Sequence, residues 1–160
     1  MTRTRRLNRS AALIGVALVA ASLLTGCATT VSMEPAPEAN SPDCAAVTVR
    51  LPAAVDGQPR AWTDAQATGA WGSPTTVLLT CGLEPPGPST LPCETVDGVD
   101  WLIDDSEAPS YRFTTFGRVP AVEVYLDYDV VSARSVLGAL TNAVRMLPSS
   151  ASECTERPTD

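Results

Sequence analysis

The residues able to do chemistry in this chain are mostly carboxylates. Asp97, Asp100, Asp104, Asp105 and Glu107 crowd one short stretch, and Asp127 and Asp129 form a second pair. Oxygen ligands in such number are what a calcium ion takes, yet no D-x-D-x-D-G loop is present. A solvated acidic rim is the reading favoured for the first cluster. Paired carboxylates can also hydrolyse glycosides, but two acids near the end of a strand are a weak signal of it. Trp71, Trp101, Arg112 and Arg118 are the remaining candidates. Aromatic faces beside a fork of donors can grip a sugar or a carboxylate; core tryptophans and ion-paired arginines are the plainer expectation.

What is missing narrows the chemistry further. The 160 residues contain no histidine and no lysine. That removes the commonest general base, a Ser-His-Asp triad and the commonest metal ligand. An enzyme would have to work with carboxylates, Ser, Tyr or Arg. The expectation is a protein without catalytic residues, metal or cofactor. The formal net charge of -7 argues against nucleic acid as a partner.

Five cysteines organise the rest. Cys27 follows Leu24-Thr25-Gly26, at the end of a segment with Arg3, Arg5, Arg6 and Arg9 before an apolar run from Ala11 to Leu24. This is the three-part pattern of a secretory signal. The apolar run would span only about 21 Å as a helix, short of the roughly 30 Å of a bilayer core. The tetrapeptide ending in Cys27 resembles the lipobox of bacterial lipoproteins. That resemblance implies cleavage before Cys27, lipidation of Cys27 and anchoring at the extracytoplasmic face of the cell membrane. Losing residues 1–26 removes four arginines and no acids, leaving seven basic against eighteen acidic residues, a net charge of -11. Attachment then has to come from acyl chains, each buried methylene contributing about 0.8 kcal/mol.

The expected organisation is a signal peptide over 1–26, a lipidated cysteine and disordered tether over 27–43, and one domain over 44–160. The tether reading rests on ATTVSMEPAPEANSP, with little to bury. In an oxidising compartment Cys44, Cys81, Cys93 and Cys154 are expected as two disulfides. Proximity in sequence favours Cys81 with Cys93, and Cys44 with Cys154 across the domain termini.

The elements carrying these residues read as α+β: a small antiparallel sheet with one C-terminal amphipathic helix packed on it. Ala46 to Leu51 suits a short strand or a turn of helix. Val55-Asp56-Gly57-Gln58 is a turn signal, and Arg60 to Ala70 is ambiguous. Thr75 to Cys81 reads as a central strand with Val77, Leu79 and Cys81 on one face. Asp97-Gly98 between Cys93–Val96 and Val99–Asp104 is a two-residue hairpin signal. Tyr111 to Phe116 and Ala121 to Tyr128 flank a turn at Gly117 to Pro120, with Val122, Val124, Leu126 and Tyr128 facing inward. Ser132 is the expected N-cap of a helix from Ala133 to Leu147, with Arg134, Thr141 and Arg145 on its outer side. The strand tip Thr114, Thr115, Phe116 and Arg118 is the expected binding site, since Arg118 offers bidentate donors beside Phe116.

The order Trp71-Gly72-x-Pro74, Leu79-x-Cys81-Gly82, Cys93, Gly98-Val99-Asp100-Trp101-Leu102 and Thr114-Thr115-Phe116-Gly117-Arg118-x-Pro120-Ala121-Val122 resembles an actinobacterial family catalogued as domain of unknown function 3515. The likeness covers roughly Cys44 to Leu147. It implies a secreted or lipid-anchored envelope protein and brings no activity or catalytic residue with it. The function expected is therefore a non-enzymatic binding module for an envelope protein or a cell-wall component. A carboxylate-based hydrolase of envelope glycan and a metal- or small-ligand-binding lipoprotein are the alternatives.

Overall fold

The computed structural model describes residues 30–155. The expected signal peptide over 1–26 and the expected lipidation site Cys27 lie outside the described residues. Nine strands and two helices follow in the order β1 (Thr30–Val31), α1 (Pro42–Thr48), β2 (Ala54–Val55), β3 (Gln58–Thr63), β4 (Thr68–Trp71), β5 (Val77–Leu83), β6 (Cys93–Val96), β7 (Val99–Asp104), β8 (Ser110–Phe116), β9 (Ala121–Asp127) and α2 (Ala133–Val144). The strands join in the order β1-β3-β4-β5-β9-β8-β7-β6, with β2 paired to β3 off this path. All neighbours are antiparallel except β1, which runs parallel to β3. The fold is thus a mixed, mostly β sheet with two helices, broader than the small antiparallel sheet and single helix expected. No described helix is long and apolar enough to cross a membrane.

Alternation along the strands decides which face is the core. Val77, Leu79 and Cys81 on β5, Val122, Val124 and Leu126 on β9, Val99 and Trp101 on β7, and Phe113 on β8 are all buried on one side. Both helices add to the same cluster, α1 through Cys44 and Val47 and α2 through Val136, Leu137, Leu140 and Val144. Trp71 and Trp101 are wholly buried. Trp71 Nε1 donates to the Pro52 carbonyl at 3.1 Å, whereas Trp101 Nε1 finds no partner among the described residues.

The two-residue turn at Asp97-Gly98 forms as its composition requires. Both residues have positive φ, 48° and 79°, and Val96 faces Val99 across the hairpin. Asp56-Gly57 does the same between β2 and β3. In α1, Pro42 occupies the first turn and Ser41 Oγ accepts from the Asp43 N–H, so the helical alternative wins over the strand for Ala46 to Leu51. In α2, Ser132 Oγ caps the Ser135 N–H. The helix ends one turn earlier than expected. Thr141 is buried and not on the outer side, because it stands on one helix face with the buried Leu137 and Val144; its Oγ1 is satisfied by donating to the Leu137 carbonyl. Tyr128 follows the end of β9 and is exposed instead of facing inward.

Two larger expectations are corrected. The segment read as a free tether is part of the domain from Thr30 on. Thr30 and Val31 pair with Trp62 and Thr63, the Met33 N–H and Ser32 hydroxyl donate to Asp64, the Glu38 N–H donates to the Gly82 carbonyl, and Ala39 is buried. Backbone pairing supplies here what the apolar content of the segment cannot. The four cysteines do form two disulfides, but as Cys44–Cys81 and Cys93–Cys154. β5 and β6 are consecutive in sequence yet four places apart in the sheet, about 19 Å at normal strand spacing. A bridge needs α-carbons within about 7 Å. The Pro-rich connection is therefore a crossing and not a tight loop, and each cysteine bonds what packs beside its own strand.

Candidate functional site

The second face of the sheet is half open, and its polar side chains form the candidate site. Arg112 on β8 stands between Glu123 on β9 and Glu107 in the loop before β8. Its Nη1 donates to Glu123 Oε1 at 3.2 Å and its Nη2 to Glu107 Oε1 at 2.9 Å. The Tyr125 hydroxyl donates to Glu107 Oε2 at 3.1 Å. The guanidinium lies over the Tyr125 ring, 4.6 Å from its centre, an attractive placement for a cation on an aromatic face. Strand alternation brings Arg112, Glu123 and Tyr125 to this face, with Arg112 directly opposite Tyr125 in register. Leu78 and Thr80 on β5 extend it, and Ser32, Met33 and Glu34 wall its far side. Together they enclose an open groove of about 350 Å³.

The electrostatics of this face favour the ionised forms of Glu107 and Asp104. Hydrogen bonds from Arg112 and Tyr125 hold the Glu107 carboxyl below its usual range, and the positive charge of Arg112 adds to this. Asp104 is lowered by the Ser106 side chain and N–H, with a smaller contribution from Arg112. The Arg112 guanidinium is raised, first by its bond to Glu107. A general acid at neutral pH needs the opposite shift. The arrangement places fixed donors and acceptors beside the apolar side chains of Leu78 and Met33.

The sequence-predicted residues are scattered relative to this groove. Thr114 lies on the same face, opposite Leu102 and Glu123. Thr115 is buried in the core and its Oγ1 accepts from the Val122 N–H at 2.9 Å. Phe116 lines a separate hollow of about 280 Å³ with Leu91, Leu102 and Cys154. Arg118 spends its donors on the Leu147 and Gly98 carbonyls, so its fork ties three backbone segments together. The tip itself is covered. The Val119 N–H donates to the Pro148 carbonyl and the Ser150 N–H to the Gly117 carbonyl. The structure thus does not bring these four residues together on one surface.

The acidic cluster also disperses. Asp100 accepts from Thr95 and from the Cys154 N–H, Asp104 from the Ser106 N–H, and Asp127 from the Asp129 N–H. Among the described residues no group of three or more His, Cys, Asp or Glu is placed to hold a metal. Alternation along Ala121 to Tyr128 marks Glu123 and Tyr125 only as facing away from Val122, Val124 and Leu126. Trp62 and Asp64 fall in the stretch from Arg60 to Ala70 that carries no clear periodicity.

No curated protein and no solved structure matches this sequence. A family model described as a protein of unknown function, DUF3515, matches residues 9–152, most of the chain. The chain belongs to that family.

Proposed function

We propose that this chain is a lipid-anchored protein of an actinobacterial cell envelope that binds wall glycan, without turnover, through the groove on the second face of its sheet. The observation that carries the reading is the Arg112–Glu107–Tyr125–Glu123 network, three of whose members, Arg112, Glu123 and Tyr125, line an open groove. Sugar hydroxyls both donate and accept, and a row of fixed carboxylates, a guanidinium and a Thr80 hydroxyl answers both roles. The absence of His and Lys from the whole sequence supports binding over turnover. Anchoring through Cys27 would keep the groove on the outer side of the membrane, the side on which wall glycan lies.

The test is co-sedimentation of the purified protein with isolated peptidoglycan sacculi. The protein is expected in the pellet, and Arg112→Ala and Tyr125→Ala to weaken retention about tenfold each, the loss typical of a charge-assisted hydrogen bond. Retention that both substitutions leave unchanged, or release of soluble wall fragments by the protein, overturns the proposal. For the anchor, Cys27→Ser is expected to shift the protein from the membrane to the soluble fraction.

A further inference from the structure

Of the three tryptophans, two are wholly buried and Trp62 is 75% exposed. It stands near the end of β3, between two hollows. One, of about 510 Å³, is shared with Thr30, Val31 and Pro74. The other, of about 410 Å³, is lined by Leu51, Ala53, Arg60 and Ala61. Val49, exposed, and Arg50 lie just before this second hollow in the chain. A single exposed apolar residue is ordinary. The position of this one is not, because its register partner in β1 is Thr30.

Only Ala28 and Thr29 separate Thr30 from Cys27. Three residue steps reach at most about 11 Å. Thr30 and Val31 are fixed to the domain by their pairing with β3, and Ser32 and Met33 by the Asp64 carboxylate. A lipid on Cys27 therefore cannot let the domain stand far off the bilayer. It brings the β1–β3 edge, and Trp62 with it, down to the headgroups.

We propose that Trp62 and the β1–β3 edge dock on the lipid surface in which Cys27 is anchored, the indole entering the headgroup layer and Arg60 lying beside it. The inference rests on the anchored reading above. Tryptophan is the side chain best suited to that layer, since its ring is apolar and its N–H still finds polar partners. Arg60 shares both hollows with Trp62; its Nη1 donates to the Leu51 carbonyl at 3.3 Å, and the exposed remainder of its cationic fork suits phosphate oxygens. Asp64, the acid nearest in sequence, is already occupied by Ser32 and Met33. The negative net charge of the chain opposes general adhesion to anionic lipid, so the acyl chains hold the protein and the Trp62 edge sets its orientation.

The experiment uses the full chain expressed with its own N-terminus in a bacterial host and reconstituted into phosphatidylglycerol–phosphatidylcholine vesicles whose acyl chains carry bromine close to the headgroup. Bromine quenches only tryptophan that reaches it. The expected result is loss of most of the emission from the exposed tryptophan relative to unbrominated vesicles. Trp62→Ala is expected to abolish the brominated-lipid effect while leaving flotation with the vesicles unchanged. Mass spectrometry of the same preparation reads the acyl chains. An acylated protein that floats with the vesicles but shows no bromine quenching overturns the docking alone. A protein with no acyl chain on Cys27 overturns the anchor and the docking that rests on it.

Discussion

Arg112 joins two carboxylates and an aromatic ring, and its removal should be legible in its neighbours. Glu107 is held low chiefly by the Arg112 bond. Arg112→Ala is expected to raise the Glu107 titration toward the ordinary glutamate value, as read by carboxyl NMR shifts. The sign for stability follows from a folded-state value below the unfolded one: the contribution of Glu107 is present above the unfolded value and is lost as pH falls through the folded one. Both Glu107 and Asp104 are at the surface, so acid should weaken this face locally before it unfolds the molecule. The two buried tryptophans make a contrasting pair. Trp71→Phe breaks a hydrogen bond and strands the Pro52 carbonyl, whereas Trp101→Phe removes an N–H that has no partner among the described residues. A stranded buried group costs about 1–3 kcal/mol. Thermal or urea denaturation is expected to show Trp71→Phe as the more destabilising change by an amount of that order.

At the scale of elements, the β8–β9 turn depends on a glycine. Gly117 has φ of 81°, and a Cβ there would run into the Ser152 carbonyl oxygen. Gly117→Ala is expected to cost about 1–3 kcal/mol from backbone strain of this kind, and more where the segment from Ser149 to Ser152 is pushed away. Hydrogen exchange should then rise at Val119 and Ser150, whose N–H groups donate across this contact. The β1 strand depends on one acid. Asp64 is held low by the Met33 N–H and then the Ser32 hydroxyl. Asp64→Ala is expected to speed proteolysis within Thr30 to Glu34 while leaving the central strands protected.

The whole molecule is closed by its two disulfides. Cys44–Cys81 ties α1 to the centre of the sheet, and Cys93–Cys154 ties its β6 edge to the C-terminal segment, across 37 and 61 residues. Loops of that length correspond to about 4 kcal/mol each in the chain-entropy account. Non-reducing peptide mapping is expected to recover those two pairs. Cys93→Ser with Cys154→Ser should lower the denaturation midpoint by a corresponding amount, and frees the segment that covers Gly117.

Local pattern alone determined the Asp97-Gly98 hairpin, the inward faces of β5 and β9, the Ser132 cap of α2 and the even set of four domain cysteines. Each depends on neighbours within a few residues, through positive φ, period-two alternation or a side chain reaching its own helix end. Only the tertiary structure decided which cysteines meet, because strand order in a sheet is not chain order. It also decided that Thr115 is buried, that Arg118 is spent on backbone carbonyls, and that Arg112, Glu123 and Tyr125 converge from different strands. For the same reason Trp62, in a stretch without periodicity, took the exposed edge while Trp71, nine positions on, fills the core. Alternation assigns sides only within the clearly periodic strands; which strand lies next to which is set by contacts between residues far apart in the chain.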